Sequence, residues 1–195
     1  MNRVVTNIFP EAPYDFELTV GYHTYYRSRY GTDYWEDDKY RRLLEIDNKL
    51  LLASVRSTGT VEQPELEMVV EGTSLSRYDV TRAKSQIEWI LGTSQDLRQF
   101  YESIIDDDPL NNFCQSFYGL HLPHTLSAYE ALILAVLGQQ ISTNVAHSIR
   151  TLIIEKYGSI AKYNGMDYYA FPQPISLAKA SLEDLRLLKM SYRKA

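Results

Sequence analysis

The stretch Tyr129-Glu-Ala-Leu-Ile-Leu-Ala-Val-Leu-Gly-Gln-Gln-Ile-Ser-Thr-Asn-Val-Ala146 carries more information about the fold than any other part of the chain. Its first half is dominated by Ala, Leu and Ile, and its apolar residues recur at the spacing of one helix face. Ser127 and Glu130, at the start of the predicted helix, have the spacing of a capping box. The sequence therefore predicts a helix that begins near Ser127 and buries a stripe of Leu132, Ala135, Val136 and Leu137.

The helix is predicted to end at a tight corner. Gly138 can stop a helix in the left-handed conformation, and Ser142 is a suitable N-cap for a second helix that follows at once. The second helix has its own apolar positions at helical spacing, namely Val145, Ile149, Leu152 and Ile153. Gln139 and Gln140 are thus left at the corner between two helices, with amides that both donate and accept hydrogen bonds.

Two interpretations of this corner are open from the residues alone. Most connections between antiparallel helices are only connectors, and the two glutamines would then be solvated side chains. Alternatively, a pair of amides held at an exposed corner would be a contact for a polar ligand. Helical periodicity does not separate the two.

The segment Leu137-Gly-Gln-Gln-Ile-Ser142 resembles the helix-hairpin-helix DNA glycosylase superfamily, and in particular the 3-methyladenine DNA glycosylase II family. Ala12-Pro-Tyr-Asp-Phe-Glu-Leu-Thr-Val-Gly-Tyr22 looks like the N-terminal strand of that family, and Asp108-Pro-Leu precedes its helical domain. Phe171-Pro-Gln-Pro-Ile-Ser-Leu-Ala178 and Leu185-Arg-Leu-Leu-Lys-Met-Ser-Tyr-Arg-Lys-Ala195 resemble its later segments. The resemblance covers nearly the whole chain, although only the Gly-Gln-Gln-Ile-Ser core is fairly specific.

The resemblance implies a monofunctional hydrolase of N-glycosidic bonds that excises alkylated purines from double-stranded DNA without metal or organic cofactor. It implies that Tyr22 lines the base pocket and that a DNA-contacting wedge contains Gln139, Gln140, Ile141 and Ser142, with Gln140 at the wedge position. The family's hairpin and catalytic aspartate would follow Ala195. We therefore expect no catalytic residue in this chain, which leaves its own enzyme activity uncertain.

Composition favours a globular protein with a substantial core. The 195 residues are 45% hydrophobic, no apolar run reaches the length of a membrane span, and the N-terminus has no secretion signal. We expect an intracellular protein of the cytoplasm or nucleoid. The one cysteine excludes an internal disulfide, and the four histidines show no metal spacing.

The net charge is weakly unfavourable to nucleic-acid binding. It is −5 overall. Residues 1–90 hold 11 Lys/Arg against 15 Asp/Glu, a net of −4, and residues 91–195 hold 9 against 10, a net of −1. The family that the chain resembles grips phosphates largely with helix N-termini and backbone amides, which needs little net positive charge.

Hydrophobic periodicity predicts an α+β fold. Alternation predicts strands at 16–22 and 66–70, and a hairpin turn at Asp47-Asn48 predicts paired strands at 40–46 and 49–55. Helical spacing begins near Val80. We expect an antiparallel β/α domain at 1–90, similar to the TATA-binding protein, and an incomplete helical glycosylase domain at 91–195. From about residue 109 onward we expect only helices.

A second hypothesis belongs to another class. The chain would be a non-catalytic module, or one part of a split protein that pairs with a second chain carrying the hairpin and the aspartate. Leu185, Leu188 and Met190, near the last residue, would leave apolar surface for such a partner.

Overall fold

The computed structural model describes residues 2–195. Its larger sheet is antiparallel and six-stranded, in the order β1-β6-β5-β4-β3-β2. Its strands are β1 (Asn2–Ile8), β2 (Arg29–Tyr30), β3 (Asp33–Glu36), β4 (Lys39–Ile46), β5 (Lys49–Ser57) and β6 (Leu66–Gly72). A separate hairpin is formed by β7 (Ile160–Tyr163) and β8 (Met166–Tyr169).

The helices are α1 (Phe16–Thr24), α2 (Arg77–Ile90), α3 (Arg98–Ser103), α4 (Asp108–Gln115), α5 (Ala128–Gly138), α6 (Thr143–Tyr157), α7 (Pro174–Leu177) and α8 (Leu182–Leu187). The predicted α+β class is confirmed. α2 ends at Ile90, the last residue of the predicted first domain, and the division at residue 90 stays a prediction. Within residues 2–195, no helix has both the length and the apolarity to cross a bilayer.

The two faces of the large sheet are covered by different elements. α1 and α2 pack on one face, where Phe16, Val20 and Ile87 meet inward residues of β4, β5 and β6 such as Tyr40 and Met68. The β7–β8 hairpin packs on the other face, where its tyrosines contact residues of β3, β4 and β5; this cluster contains Tyr34, Leu43, Leu52, Tyr163, Tyr168 and Ala170. The sheet is therefore the layer on which both halves of the chain are assembled.

Three predicted strands and their turn are confirmed. β4 and β5 pair from Tyr40 with Val55 to Ile46 with Lys49, so Asp47 and Asn48 form the hairpin turn, both with positive φ. β6 pairs with β5 on one side and with β1 on the other. The predicted helix near Val80 is α2, and Gly92 follows it with a φ of 62°.

The predicted strand at Phe16–Tyr22 was wrong, because this segment is α1. The Asp15 side chain accepts a hydrogen bond from the Leu18 amide at 2.9 Å and caps the helix. Phe16, Thr19 and Val20 are buried, which is helical spacing. The apolar residues of this segment satisfy both a two-residue and a helical period, and the cap decides between them. The first strand is instead β1, nearer the N-terminus.

The expectation of only helices after residue 109 was also wrong, since β7 and β8 lie at residues 160–169. Asn164 and Gly165 both have positive φ and make a two-residue turn between the strands. Tyr163 and Tyr168 face the large sheet, and the Tyr163 hydroxyl donates to the Leu50 and Glu71 carbonyl oxygens at 3.0 and 3.1 Å. The Asn-Gly pair was the sequence signal for this hairpin.

Candidate nucleic-acid interface

The helical corner exists, but its conformation differs from the prediction. Gly138 is the last residue of α5, Gln139 is extended with φ −62° and ψ 129°, and Gln140 has a φ of 56°. The left-handed residue is therefore Gln140 rather than Gly138. Such a φ is uncommon for a residue with a Cβ and stores local strain. Ser142 caps α6 as predicted, since its side chain accepts from the Val145 amide at 3.4 Å.

The wedge residues differ in exposure. Gln139, Gln140 and Ser142 are exposed, whereas Ile141 is half-buried and packs against a cluster that contains Leu137 and Ile149. The corner thus presents its amides to solvent and anchors itself through its isoleucine.

The predicted buried stripe of α5 was largely wrong. Leu137 is buried, Val136 is half-buried, and Leu132 and Ala135 are exposed, with Leu132 exposing 64% of its surface. α5 carries apolar residues around most of its circumference, so periodicity alone could not select the face that packs.

Two side chains outside the corner hold the helices that form it. The Lys194 ammonium donates to the Leu137 carbonyl oxygen at 2.9 Å, which satisfies one of the free carbonyls at the C-terminus of α5. The Arg27 guanidinium donates to Asn144 Oδ1 at 2.5 Å in the first turn of α6. Neither contact has a local sequence signal, because the partners are 57 and 117 residues apart in the chain.

Tyr22 lies on α1 at the wall of an open cavity of about 350 Å³. The side chain exposes 54% of its surface and is therefore available to a ligand. The other walls come from several elements and include His23, Tyr25, Tyr30, Asp33, His124, Glu130, Leu134, Ala135 and Arg150. Gln140 is not among the lining residues, and a cleft shared by Gln140 and Tyr22 stays a prediction. The cavity and the corner are joined through α5 and α6, which contribute to both.

One side of the cavity is a stack of aromatic rings. The Tyr25 and Tyr30 ring centroids are 4.7 Å apart, and His147 stacks on Tyr30 at 5.1 Å with an interplanar angle of 8°. The Arg150 guanidinium lies 4.3 Å from the Tyr30 centroid. Burial, followed by the charges of Arg27, Arg150 and Arg29, lowers the pKa of His147, so this ring is held neutral.

Two residues that line the cavity, Asp33 and Glu130, belong to a buried ion cluster with Arg42. Arg42 Nη1 donates to Asp33 Oδ1 at 2.8 Å, and Arg42 Nη2 donates to both Glu130 oxygens at 2.8 Å. The Tyr40 hydroxyl donates to Asp33 Oδ1 at 2.6 Å, and His23 Nε2 lies 3.2 Å from the same oxygen. The side chain of Arg42 is only 2% exposed. The cluster therefore joins β3 and β4 of the sheet to the first turn of α5.

Opposite charges in the cluster keep Asp33 and Arg42 ionised. Burial alone would raise the pKa of Asp33, but Arg42 and the His23 and Tyr40 contacts outweigh it and hold that pKa well below its usual range. Burial opposes the charge of Arg42, yet Asp33 and Glu130 raise its pKa well above the ordinary value. Asp33 is therefore negative, and the Asp33 and Glu130 carboxylates at the cavity are both already bound to the Arg42 guanidinium.

Only one of the two hydrogen bonds of the predicted capping box is present. The Ser127 hydroxyl accepts from the Glu130 amide at 3.1 Å, as expected. The Glu130 carboxylate, however, binds Arg42 instead of reaching back to Ser127. The ion pair spans 88 residues of sequence, so no local pattern could predict it.

Other candidate groups do not form a reactive centre. Asp184 is the residue of α8 whose amide Ser181 caps, and its carboxylate accepts from Lys156 at 2.7 Å. Among residues 2–195, no three His, Cys, Asp or Glu side chains come together in a way that could hold a metal ion.

The sequence comparison finds a similar curated protein. No protein-family model matches the chain. The DNA-3-methyladenine glycosylase of Bacillus subtilis strain 168 is 28% identical over 206 residues, an alignment that covers all of this chain and 63% of that protein.

Solved structures agree with the sequence comparison. The 3-methyladenine DNA glycosylase of Archaeoglobus fulgidus superposes with a TM-score of 0.79 at 23% identity, covering 97% of this chain and 63% of that one. The Clostridium acetobutylicum 8-oxoguanine glycosylase/lyase, in complex with double-stranded DNA containing cytosine opposite 8-oxoguanine, gives 0.66 at 14% identity, covering 97% and 61%. The chain spans less than two thirds of the length of each of these relatives. The predicted resemblance is confirmed.

Proposed function

On the premise that the chain is similar in sequence and fold to the helix-hairpin-helix DNA glycosylases, we propose that it is the base-reading part of a DNA repair glycosylase. Its partner is double-stranded DNA that contains a damaged base, and the reaction of the whole protein is hydrolysis of an N-glycosidic bond. The observation that carries the proposal is the corner at Gln139-Gln140, where an exposed glutamine is held in a left-handed conformation between two helices.

The corner is suited to filling the gap that an extruded nucleotide leaves in the DNA stack. An enzyme that acts on a base within a duplex must rotate the nucleotide out, at a cost of a few kcal/mol that is smaller at a damaged pair. A side chain that fills the vacated space recovers part of this cost, as minor-groove wedges do. The Gln140 amide fills space and also hydrogen-bonds the unpaired partner base. Lys194 and Arg27, on either side, keep the corner in place.

The cavity beside Tyr22 suits the extruded base. Alkylated purines carry positive charge, and an exposed tyrosine ring attracts a cation through its electron-rich face. The carboxylates of Asp33 and Glu130, which line the cavity, add negative charge, although Arg42 compensates part of it. Its volume of about 350 Å³ lies within the range of small-molecule sites.

Catalysis in the whole protein would use a carboxylate from outside residues 2–195. Each carboxylate at the cavity is hydrogen-bonded to Arg42, and a carboxylate held by a buried cation is less available to stabilise a positive transition state. We therefore propose that a segment corresponding to the remaining part of the relatives supplies the aspartate and the hairpin. No metal or organic cofactor enters this proposal.

A second candidate is a module that pairs with a separate chain. An apolar groove of about 340 Å³ lies between α5, α7 and the last residues, lined by Ile133, Val136, Leu177, Leu185 and Met190 among others. Nearby, Ile175 and Leu187 expose 65% and 78% of their surfaces. Apolar surface of this kind is typical of a contact with another polypeptide. Both candidates use the corner to contact DNA, and they differ in whether the remaining part of the relatives corresponds to a segment of the same chain or to a second chain.

Substitution of the wedge residue tests the proposal. We expect Gln140→Ala to weaken binding to a duplex containing one damaged base by about 1–3 kcal/mol, the scale of one lost base-directed contact. Binding to the undamaged duplex should change much less, because phosphate contacts dominate it. Fluorescence anisotropy with matched duplexes at one fixed salt concentration measures both.

Gln173→Ala is the matched control, since Gln173 is an exposed glutamine outside the corner. The control should bind both duplexes like the unmodified chain. Equal losses on both duplexes for Gln140→Ala would show that the corner is only a connector.

A further inference from the structure

The outer face of the large sheet carries a shallow polar groove beside the β7–β8 hairpin. It has a volume of about 270 Å³ and extends over β1, β6, β5 and β4. Its basic residues are Arg3, Lys39, Arg41 and Arg56, and its acidic residues are Glu67 and Glu71. Four cations against two carboxylates leave a local charge of +2, on a chain whose net charge is −5.

Strand register puts these side chains on one face. Lys39 and Arg41 alternate along β4 with Tyr40 and Arg42, which point into the core and the ion cluster. Arg56 is paired with Glu67 across β5 and β6, and Arg3 with Glu71 across β1 and β6. The basic groups are therefore fixed by the sheet rather than carried on a loop.

Most of the positive charge in the groove has no internal partner. Arg56 binds Glu67 at 2.8 Å, which neutralises one cation and one carboxylate. Arg41 donates to the Glu36 carbonyl oxygen at 3.2 Å, a contact that leaves its charge uncompensated. Among residues 2–195, Arg3, Lys39 and Arg41 form no ion pair.

We propose that this groove binds the phosphate backbone of a nucleic acid as a contact separate from the corner and the cavity. Lys39 and Arg41 are about 7 Å apart along one strand, and the cations extend over about 14 Å across four strands. That spread matches several successive phosphates rather than one small anion. Within the described residues, no aromatic side chain lines the groove, so it has no platform for a base and selects no sequence.

The inference takes the nature of the polyanion, duplex DNA, from the proposed function. Its test uses the 195-residue chain and a fluorescently labelled undamaged duplex over a range of salt concentrations. Lys39→Gln/Arg41→Gln should reduce affinity about tenfold at low salt and lower the slope of log K against log salt by about one to two. Arg77→Gln/Arg82→Gln is the matched control, because both arginines are exposed on α2. It should change affinity less than about twofold.

A variant with the opposite effect excludes misfolding as the cause. Glu71 forms no ion pair among residues 2–195, so Glu71→Gln raises the charge of the groove and should tighten duplex binding about two- to fivefold. An unchanged affinity in both groove variants, or an equal loss in the control, would overturn the inference. So would absence of duplex binding by the unmodified chain at low salt. Failure of the proposed function would give a different result. The chain would then bind damaged and undamaged duplexes equally, while the groove variants would still change the affinity as expected.

Discussion

Arg42→Met is expected to lower the free energy of unfolding by about 3–5 kcal/mol. The substitution leaves the Asp33 and Glu130 carboxylates buried without their common cation. Removal of one partner from a buried ion pair is costly, because the remaining charge is then neither solvated nor paired. Urea denaturation followed by circular dichroism measures the loss. Since the cluster joins the sheet to α5, the loss should affect the unfolding of both.

The matched control is Arg41→Met, the neighbouring arginine on the other face of β4. Arg41 is half-buried and forms no ion pair among residues 2–195, so its removal should cost less than about 1 kcal/mol. A loss for Arg42→Met as small as that of the control would contradict the structural role of the cluster.

The free energy of unfolding of Arg42→Met should also depend on pH differently from that of the unmodified chain. The folded pKa of Asp33 is depressed below the unfolded value of about 3.9, so this carboxylate contributes stability that is complete above that pH. The contribution is lost as pH falls through the folded pKa. In Arg42→Met the depression is removed, and the difference in stability between the variant and the unmodified chain should therefore shrink below about pH 4.

The 195-residue chain is expected to release no base from a duplex that contains 3-methyladenine. The Asp33 and Glu130 carboxylates are bound to Arg42, and Asp184 accepts hydrogen bonds from Lys156 and Ser181. None of them is free to support cleavage of the glycosidic bond. Chromatographic detection of released base over several hours measures the activity against the spontaneous rate.

The same experiment includes a complementation assay in which base release is expected. Addition of a polypeptide corresponding to the part of the Bacillus subtilis glycosylase outside the 63% that the alignment covers should restore base release, either fused to Ala195 or supplied separately. Restoration by the separate polypeptide would favour the two-chain candidate. Robust release by the 195-residue chain alone, abolished by Asp33→Asn, would contradict our account of catalysis.

Local sequence patterns predicted much of the sheet but misplaced its beginning. β6 was predicted from its alternation, whereas β4 and β5 were predicted from the Asp47-Asn48 turn, which fixes the register between them. The segment at Phe16–Tyr22 alternates as well, yet it is a helix because the Asp15 cap and the burial of Thr19 favour the longer period. Where two periods fit the same residues, the capping side chain was the more reliable signal.

The sequence predicted the corner of the candidate site, but it did not predict the tertiary contacts that hold the corner in place. Ser142 and the two glutamines are local features, and their positions follow from helix capping. The left-handed residue is Gln140 and not the predicted Gly138, although glycine is the residue expected to adopt that conformation. The supporting contacts, such as that of Lys194 with Leu137, join residues far apart in sequence and depend on tertiary packing.

The central claim is that this chain reads a damaged base with Tyr22. Its most direct test is the affinity of the chain for three duplexes that differ at one position, with an N-methylated cationic purine, its uncharged isostere, or the unmodified base. We predict that the cationic duplex binds tightest and that Tyr22→Ala removes about 0.5–2 kcal/mol of that preference. Tyr78→Ala, which removes an equally exposed tyrosine on α2, should keep the preference. Equal affinity of the unmodified chain for all three duplexes would contradict the claim.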